Sequence, residues 1–159
     1  MMPENPDFLK ILANSPAAAL AYARAEEALA GGRLSERQRE QIALAVAEIN
    51  GSKCCLLAHS LRGSNAGLTA EEIGSARRAT APDGKAGQML RFTQSIVLQR
   101  GEISDEDLSA LRKAGFSEAE MIEIVANIAL SVFTNYANIV SKTEVDFPAI
   151  ANGQPQAVS

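Results

Sequence analysis

The chain has 159 residues, 47% of them hydrophobic and 21% charged, a balance that supports one packed domain and argues against gross disorder. Its formal net charge of −4 comes with scattered Lys and Arg, so nothing forms the basic stripe that nucleic acid or an acidic membrane selects. No apolar run reaches the roughly 18 residues that span a bilayer, Met1 to Asp7 carries no signal-peptide pattern, and a cytoplasmic single-domain protein over residues 1–159 is the expectation.

Aromatic residues are only 4% and Trp is absent, so the core is expected to be built from Ala, Leu, Ile and Val, with alanine favouring closely spaced helices. Helix signals run the length of the chain and no alternating strand pattern interrupts them. Asp7 to Ala13 is a short first helix. Ser15 and Pro16 open a second as cap and first-turn proline, which runs to Ala30 and stops at Gly31-Gly32. Ser35 and Gln38 form a capping box for a third, to about Ile49. Its second half, Ile42 to Ala47, is apolar on every side, the pattern of a helix buried all round. Asn50-Gly51 breaks it. Ser52 is placed to cap a fourth helix that carries Cys54, Cys55 and His59 and fades near Gly63.

Two later openings resemble each other, Ala66 to Ile73 and Ala114 to Met121. Each has a capping box (Thr69 with Glu72, Ser117 with Glu120) and a hydrophobic staple (Leu68 with Ile73, Phe116 with Met121). A shared helix-start recipe explains this better than a duplication. Ala81 to Gly84 is a loop, Lys85 to Gln99 a helix, and Ser104 to Lys113 a short helix. Met121 to about Val140 is long and apolar and reads as the central core helix. Pro148 and the polar segment 149–159 read as a frayed tail.

The chemistry-bearing residues lie between Ser52 and His59. Helix positions three and four apart share a face, so Ser52, Cys55 and His59 align, while Cys54 falls about 100° away. A free thiol titrates near about 8.5 and is mostly protonated at neutral pH. The first turn of a helix offers Cys55 unpaired N–H groups and the positive dipole end. An imidazole one turn on can take the thiol proton, and the Ser52 hydroxyl can donate to the sulfur. Such a thiolate can attack a peroxide O–O bond and become a sulfenic acid that a second thiol reduces. Plain core burial of Cys-Cys-Leu-Leu-Ala is the competing reading. Zinc would need ligands beyond Cys55, His59 and Cys54, and the sequence has one histidine and two cysteines in all, so no metal or other cofactor is expected.

The run Arg39-Glu40 through Ile42 to Ile49, then Asn50-Gly51-Ser52-Lys53-Cys54-Cys55 and His59, resembles the signature of the alkylhydroperoxidase D-like (carboxymuconolactone decarboxylase-like) family. Ala66 to Ile73 resembles the segment that follows it, and Asn135 to Asn138 through Phe147-Pro148 the closing helix and tail. The resemblance spans about 34–148. It implies an all-α helical bundle, a trimer or hexamer of identical chains, and a proton-relay glutamate at Glu40, a peroxide-reactive cysteine at Cys55 and a histidine at His59. The family's resolving cysteine falls on Ser52. Cys54 is a poor substitute, because neighbouring Cα atoms sit about 3.8 Å apart while disulfides take roughly 4.4–6.8 Å. The implied activity is a thiol-dependent peroxidase acting on a hydroperoxide or other small molecule, with an external thiol as reductant. Two alternatives remain open: a cofactor-free decarboxylase using Glu40 and His59, and a non-catalytic helical oligomer. Glu48 competes with Glu40 for the relay role, Glu40 can also serve the helix dipole alone, and Lys53 reads as a solvated surface charge.

Overall fold

A computed structural model describes the backbone of residues 6–142 and the side chains of 8–142. The expected tail, 149–159, and the family-like Phe147-Pro148 lie outside the described residues. Eight α-helices and no strand occur among those described: α1 Pro6–Ala13, α2 Pro16–Ala30, α3 Glu36–Asn50, α4 Lys53–Asn65, α5 Ala70–Arg77, α6 Gly84–Gln99, α7 Asp105–Lys113 and α8 Glu118–Val140.

Local chemistry sets most of the boundaries. The expected capping boxes at Ser35/Gln38, Thr69/Glu72 and Ser117/Glu120 all form, each satisfying two otherwise unpaired N–H groups. Ser15 Oγ accepts from the Ala18 amide at 3.2 Å. At the end of α3, Gly51 adopts the left-handed conformation at φ 68°, and the Ser52 amide reaches back to the Ala47 carbonyl at 3.0 Å. A residue with a Cβ pays a steric cost there. This turn sends α4 back across α3 and brings the two halves of the candidate site together.

The centre of the bundle is α3, which packs against α4, α5, α6 and α8. Ile42, Leu44, Ala45, Val46 and Ala47 are wholly buried, as their all-round apolar pattern predicts. Every second residue there is alanine, so neighbouring helices approach closely. The sequence pattern had pointed to 121–140 as the central helix, and the structure corrects this. Helix α8 is two-faced: Ile124 and Ile128 enter the core, whereas Ile122, Val125, Phe133, Tyr136, Ile139 and Val140 are exposed. It is also long and apolar enough to cross a membrane, with mean hydropathy 1.2, which corrects the expectation that no segment reaches that mark. Its packing against α1, α2, α3, α4 and α6 accounts for the apolar residues of its inner face, but only a third of the apolar stretch is buried.

One polar contact fixes the α2–α3 connection. Glu123 Oε2 accepts from the Arg33 and Leu34 amides at 2.7 and 3.1 Å. Gly32 leaves room for that carboxylate, which would lie 2.5 Å from a Cβ at this position. Phe8, Leu12 and Tyr22 form a second, smaller cluster where α1 and α2 meet α8.

Candidate functional site

Helices α2, α3, α4 and α8, with Phe8 of α1, line a small, partly open cavity of about 60 Å3. Arg39, Glu40 and Ala43 enter from α3; Cys54, Cys55, Ala58, His59 and Arg62 from α4. Asn127, Ser131, Thr134 and Asn138 supply the α8 wall, each one helical turn from the next.

The residues singled out in the sequence divide clearly. Glu40 and His59 meet: Glu40 Oε2 lies 2.8 Å from His59 Nδ1, with side chains 10% and 15% exposed. A carboxylate at Nδ1 favours the ring proton there and leaves Nε2 as the basic nitrogen. Cys55 lines the same cavity and is only 5% exposed. Ser52 does not line it. Its hydroxyl is buried, caps no amide of α4 and has no hydrogen-bond partner. The expected Ser52 donation to the sulfur is therefore absent. Instead, Asn138 Nδ2 of α8 donates to Cys55 Sγ at 3.4 Å.

Cys54 also departs from expectation, since it lines the cavity with Cys55. The cavity bridges α3 and α8, and so admits a wider arc of α4 than the single stripe through Ser52, Cys55 and His59. Glu48 is removed from contention. It pairs with Arg77 at 2.6 Å on the outer surface. Lys53 is exposed. Among the described residues, no three His, Cys, Asp or Glu side chains converge in a way that would hold a metal ion.

Several lining residues escaped the sequence reading. Asn138 also donates to the Thr134 carbonyl at 3.0 Å, which holds its amide toward the sulfur. Its Oδ1 is buried without a partner, as is Arg39 Nε. Arg62 lies 3.5 Å from Glu26. Burial opposes the Arg62 charge, but Glu40, Tyr22 and Glu26 outweigh it and hold the guanidinium above its usual range. The available signal was a polar residue every third or fourth position along the mainly apolar α8, at Asn127, Ser131, Thr134 and Asn138.

A helical bundle that places a buried thiol, an imidazole–carboxylate pair and an asparagine around one cavity defines a class of small cysteine-bearing α-helical proteins. The Carboxymuconolactone decarboxylase family model matches residues 16–95, half of the chain, and the protein belongs to that family. The fold is shared with the alkylhydroperoxidase AhpD core of an uncharacterized peroxidase-related protein from Ralstonia eutropha, at TM-score 0.73 and 24% identity over 81% of this chain and 70% of that one. A protein of unknown function from Agrobacterium tumefaciens, assigned provisionally to antioxidant defence, aligns at TM-score 0.78 and 20% identity, over 86% of this chain and 96% of that one. An uncharacterized peroxidase-related protein from Silicibacter aligns at TM-score 0.66 and 23% identity, over 80% and 68%. No curated protein matches the sequence significantly.

Proposed function

We propose that the protein is a thiol-dependent peroxidase-like oxidoreductase in which Cys55 is the single reacting sulfur. The observation that carries this reading is the polar shell of the thiol: Asn138 donates to Sγ, and the Glu40–His59 pair lines the same cavity. His59 Nε2 takes the thiol proton, and Asn138 stabilises negative charge on sulfur. The thiolate attacks the distal oxygen of a hydroperoxide. An S–O bond forms, the O–O bond breaks, and the leaving alkoxide takes a proton from the imidazolium, giving an alcohol and a Cys55 sulfenic acid. Glu40 holds the ring orientation and offsets the imidazolium charge between these transfers.

With serine at position 52, an external thiol completes the cycle. It attacks the sulfenic sulfur, water leaves, and a second thiol releases Cys55 by exchange. The overall reaction converts one hydroperoxide and two thiols into an alcohol, water and a disulfide. Cys54 lines the cavity, but its adjacency to Cys55 within α4 disfavours a disulfide between them.

The test is peroxide-dependent consumption of a small dithiol, followed for wild type and Cys55→Ser. Loss of turnover in the variant is expected, and full turnover would refute the reading. The Glu40–His59 pair equally supports acid–base decarboxylation of the kind that names the family. Decarboxylation of a cyclic acid by Cys55→Ser would favour that alternative. A non-catalytic helical oligomer, the remaining possibility, would show neither activity.

We also propose self-association through α8. Ile122, Val125, Ala129, Tyr136 and Ile139 are exposed along its outer face, at steps of three, four, seven and three suited to a partner helix.

A further inference from the structure

We propose that Arg39 anchors a carboxylate on the molecule that meets Cys55, which makes the substrate an acid rather than a neutral molecule. The proposal rests on Cys55 being the reacting atom, as argued above, but not on the reaction being peroxide reduction.

The charges lining the cavity are all accounted for except one. Glu40 is engaged by His59 at 2.8 Å. Arg62 faces Glu26 at 3.5 Å and also feels Glu40 and Tyr22. Arg39 alone among these groups has neither an ion pair nor a hydrogen bond among the described residues, and its Nε is buried. Arg39 as a whole is half-buried, with only Nε sealed, so its terminal nitrogens are open to an anion. Its planar fork matches a carboxylate in two parallel hydrogen bonds. Arg39 adjoins Glu40 on α3 and lines the cavity with Cys55, so an anion held there lies in the chamber of the reacting sulfur.

A second orphan specifies the other end of the ligand. Asn138 is 6% exposed, its amide nitrogen is committed to Cys55 and Thr134, and its Oδ1 accepts nothing. The complementary group is a neutral O–H donor beside the sulfur, such as the terminal O–H of a hydroperoxide. The cavity of about 60 Å3 has room for several waters by the same measure.

Two alkylating reagents of nearly equal size, one anionic and one neutral, test this directly. Iodoacetate carries the carboxylate and iodoacetamide does not. Each forms an S–C bond at Cys55 and releases iodide, and tandem mass spectrometry separates Cys55 from Cys54. The rate ratio of iodoacetate to iodoacetamide at Cys55 should exceed that of the urea-unfolded chain by about tenfold or more, with saturation in iodoacetate. Arg39→Met should bring the ratio to within about threefold of the unfolded value, and Arg39→Lys, which keeps the charge, should fall between. Sodium acetate should slow iodoacetamide alkylation of the wild type, and sodium chloride at equal ionic strength should not. A folded-state ratio equal to the unfolded one, a ratio unaffected by Arg39→Met, no competition by acetate, or a Cys55 unreactive to both reagents would each overturn the proposal. The peroxidase reading fails separately: iodoacetate preference can persist in a protein that never consumes peroxide.

Discussion

Asn138→Ala isolates the contact that the structure adds to the thiol. The wild-type amide donates to Cys55 Sγ at 3.4 Å and to the Thr134 carbonyl at 3.0 Å. A hydrogen bond to a neutral acceptor contributes about 0.5–1.5 kcal/mol and one to a charged acceptor about 1.5–3 kcal/mol. Attack on peroxide passes through sulfur bearing negative charge, so the variant loses the difference, about 1–2 kcal/mol, from the barrier. That corresponds to a rate roughly 5–30-fold slower. Folding should suffer less. The Thr134 carbonyl keeps its helical partner, and removing an unpaired Oδ1 offsets part of the lost packing. The measurement is a single-turnover rate of Cys55 oxidation by tert-butyl hydroperoxide at fixed pH, with a thermal melt as control. Asn138→Asp should be slower still, because it sets a carboxylate beside the developing anion. If Asn138→Ala melts like wild type and oxidises within about twofold of its rate, a margin below 1 kcal/mol, the amide has no part in the chemistry.

Glu40→Gln removes the anion from His59 Nδ1 and is expected to slow the same single-turnover reaction by about 10–100-fold; a wild-type rate would reduce Glu40 to a helix-dipole residue. Ser52→Cys restores a thiol at a site 2% exposed, and one equivalent of peroxide should then consume two thiols as an intramolecular disulfide, read by thiol titration. Persistent sulfenic acid in that variant would show that positions 52 and 55 do not come together. The carboxyls of Glu72 and Glu120 are held low, chiefly by the capping amides of Thr69 and Ser117, from a reference of 4.5. A carboxyl depressed on folding adds stability above its unfolded value and loses it as pH falls through the folded one. Glu72→Gln and Glu120→Gln should therefore flatten the loss of stability below about pH 4.5 in urea titrations, and an unchanged acid limb would contradict the cause assigned. Val125→Asp, on the exposed face of α8, is expected to lower the mass measured by light scattering, whereas an unaltered mass would place any self-association elsewhere.

The sequence made most of the fold legible because its helix ends are written in short-range chemistry. Ser35, Thr69 and Ser117 each carry their capping partner three residues on, and Gly51 marks the turn that starts α4. The buried identity of α3 was equally plain, since Ile42 to Ala47 leaves no polar face. Long-range pairing was less accessible. Whether Glu40 or Glu48 faces His59 depends on how α4 crosses α3, and both glutamates suit a helix surface. Asn138 lies 83 residues from Cys55, and no local pattern links them. The role of α8 was misjudged because hydropathy records that a residue is apolar, not whether it faces the core or the exterior.

The polar shell itself weighs against a purely structural role for this cavity. A helical module needs only apolar packing where α3, α4 and α8 meet, and burying polar groups there opposes folding unless each is paired. Here Asn138, Arg39, Ser52 and Asn135 keep buried atoms without partners. The Glu40–His59 pair is nearly closed from solvent, where breaking a pair costs more than never having had one. Of the four residues with unpaired atoms, Asn138 and Arg39 line the chamber that holds Cys55, whereas Ser52 and Asn135 do not. The two unpaired atoms inside that chamber, Asn138 Oδ1 and Arg39 Nε, are what a small polar reactant beside Cys55 would satisfy.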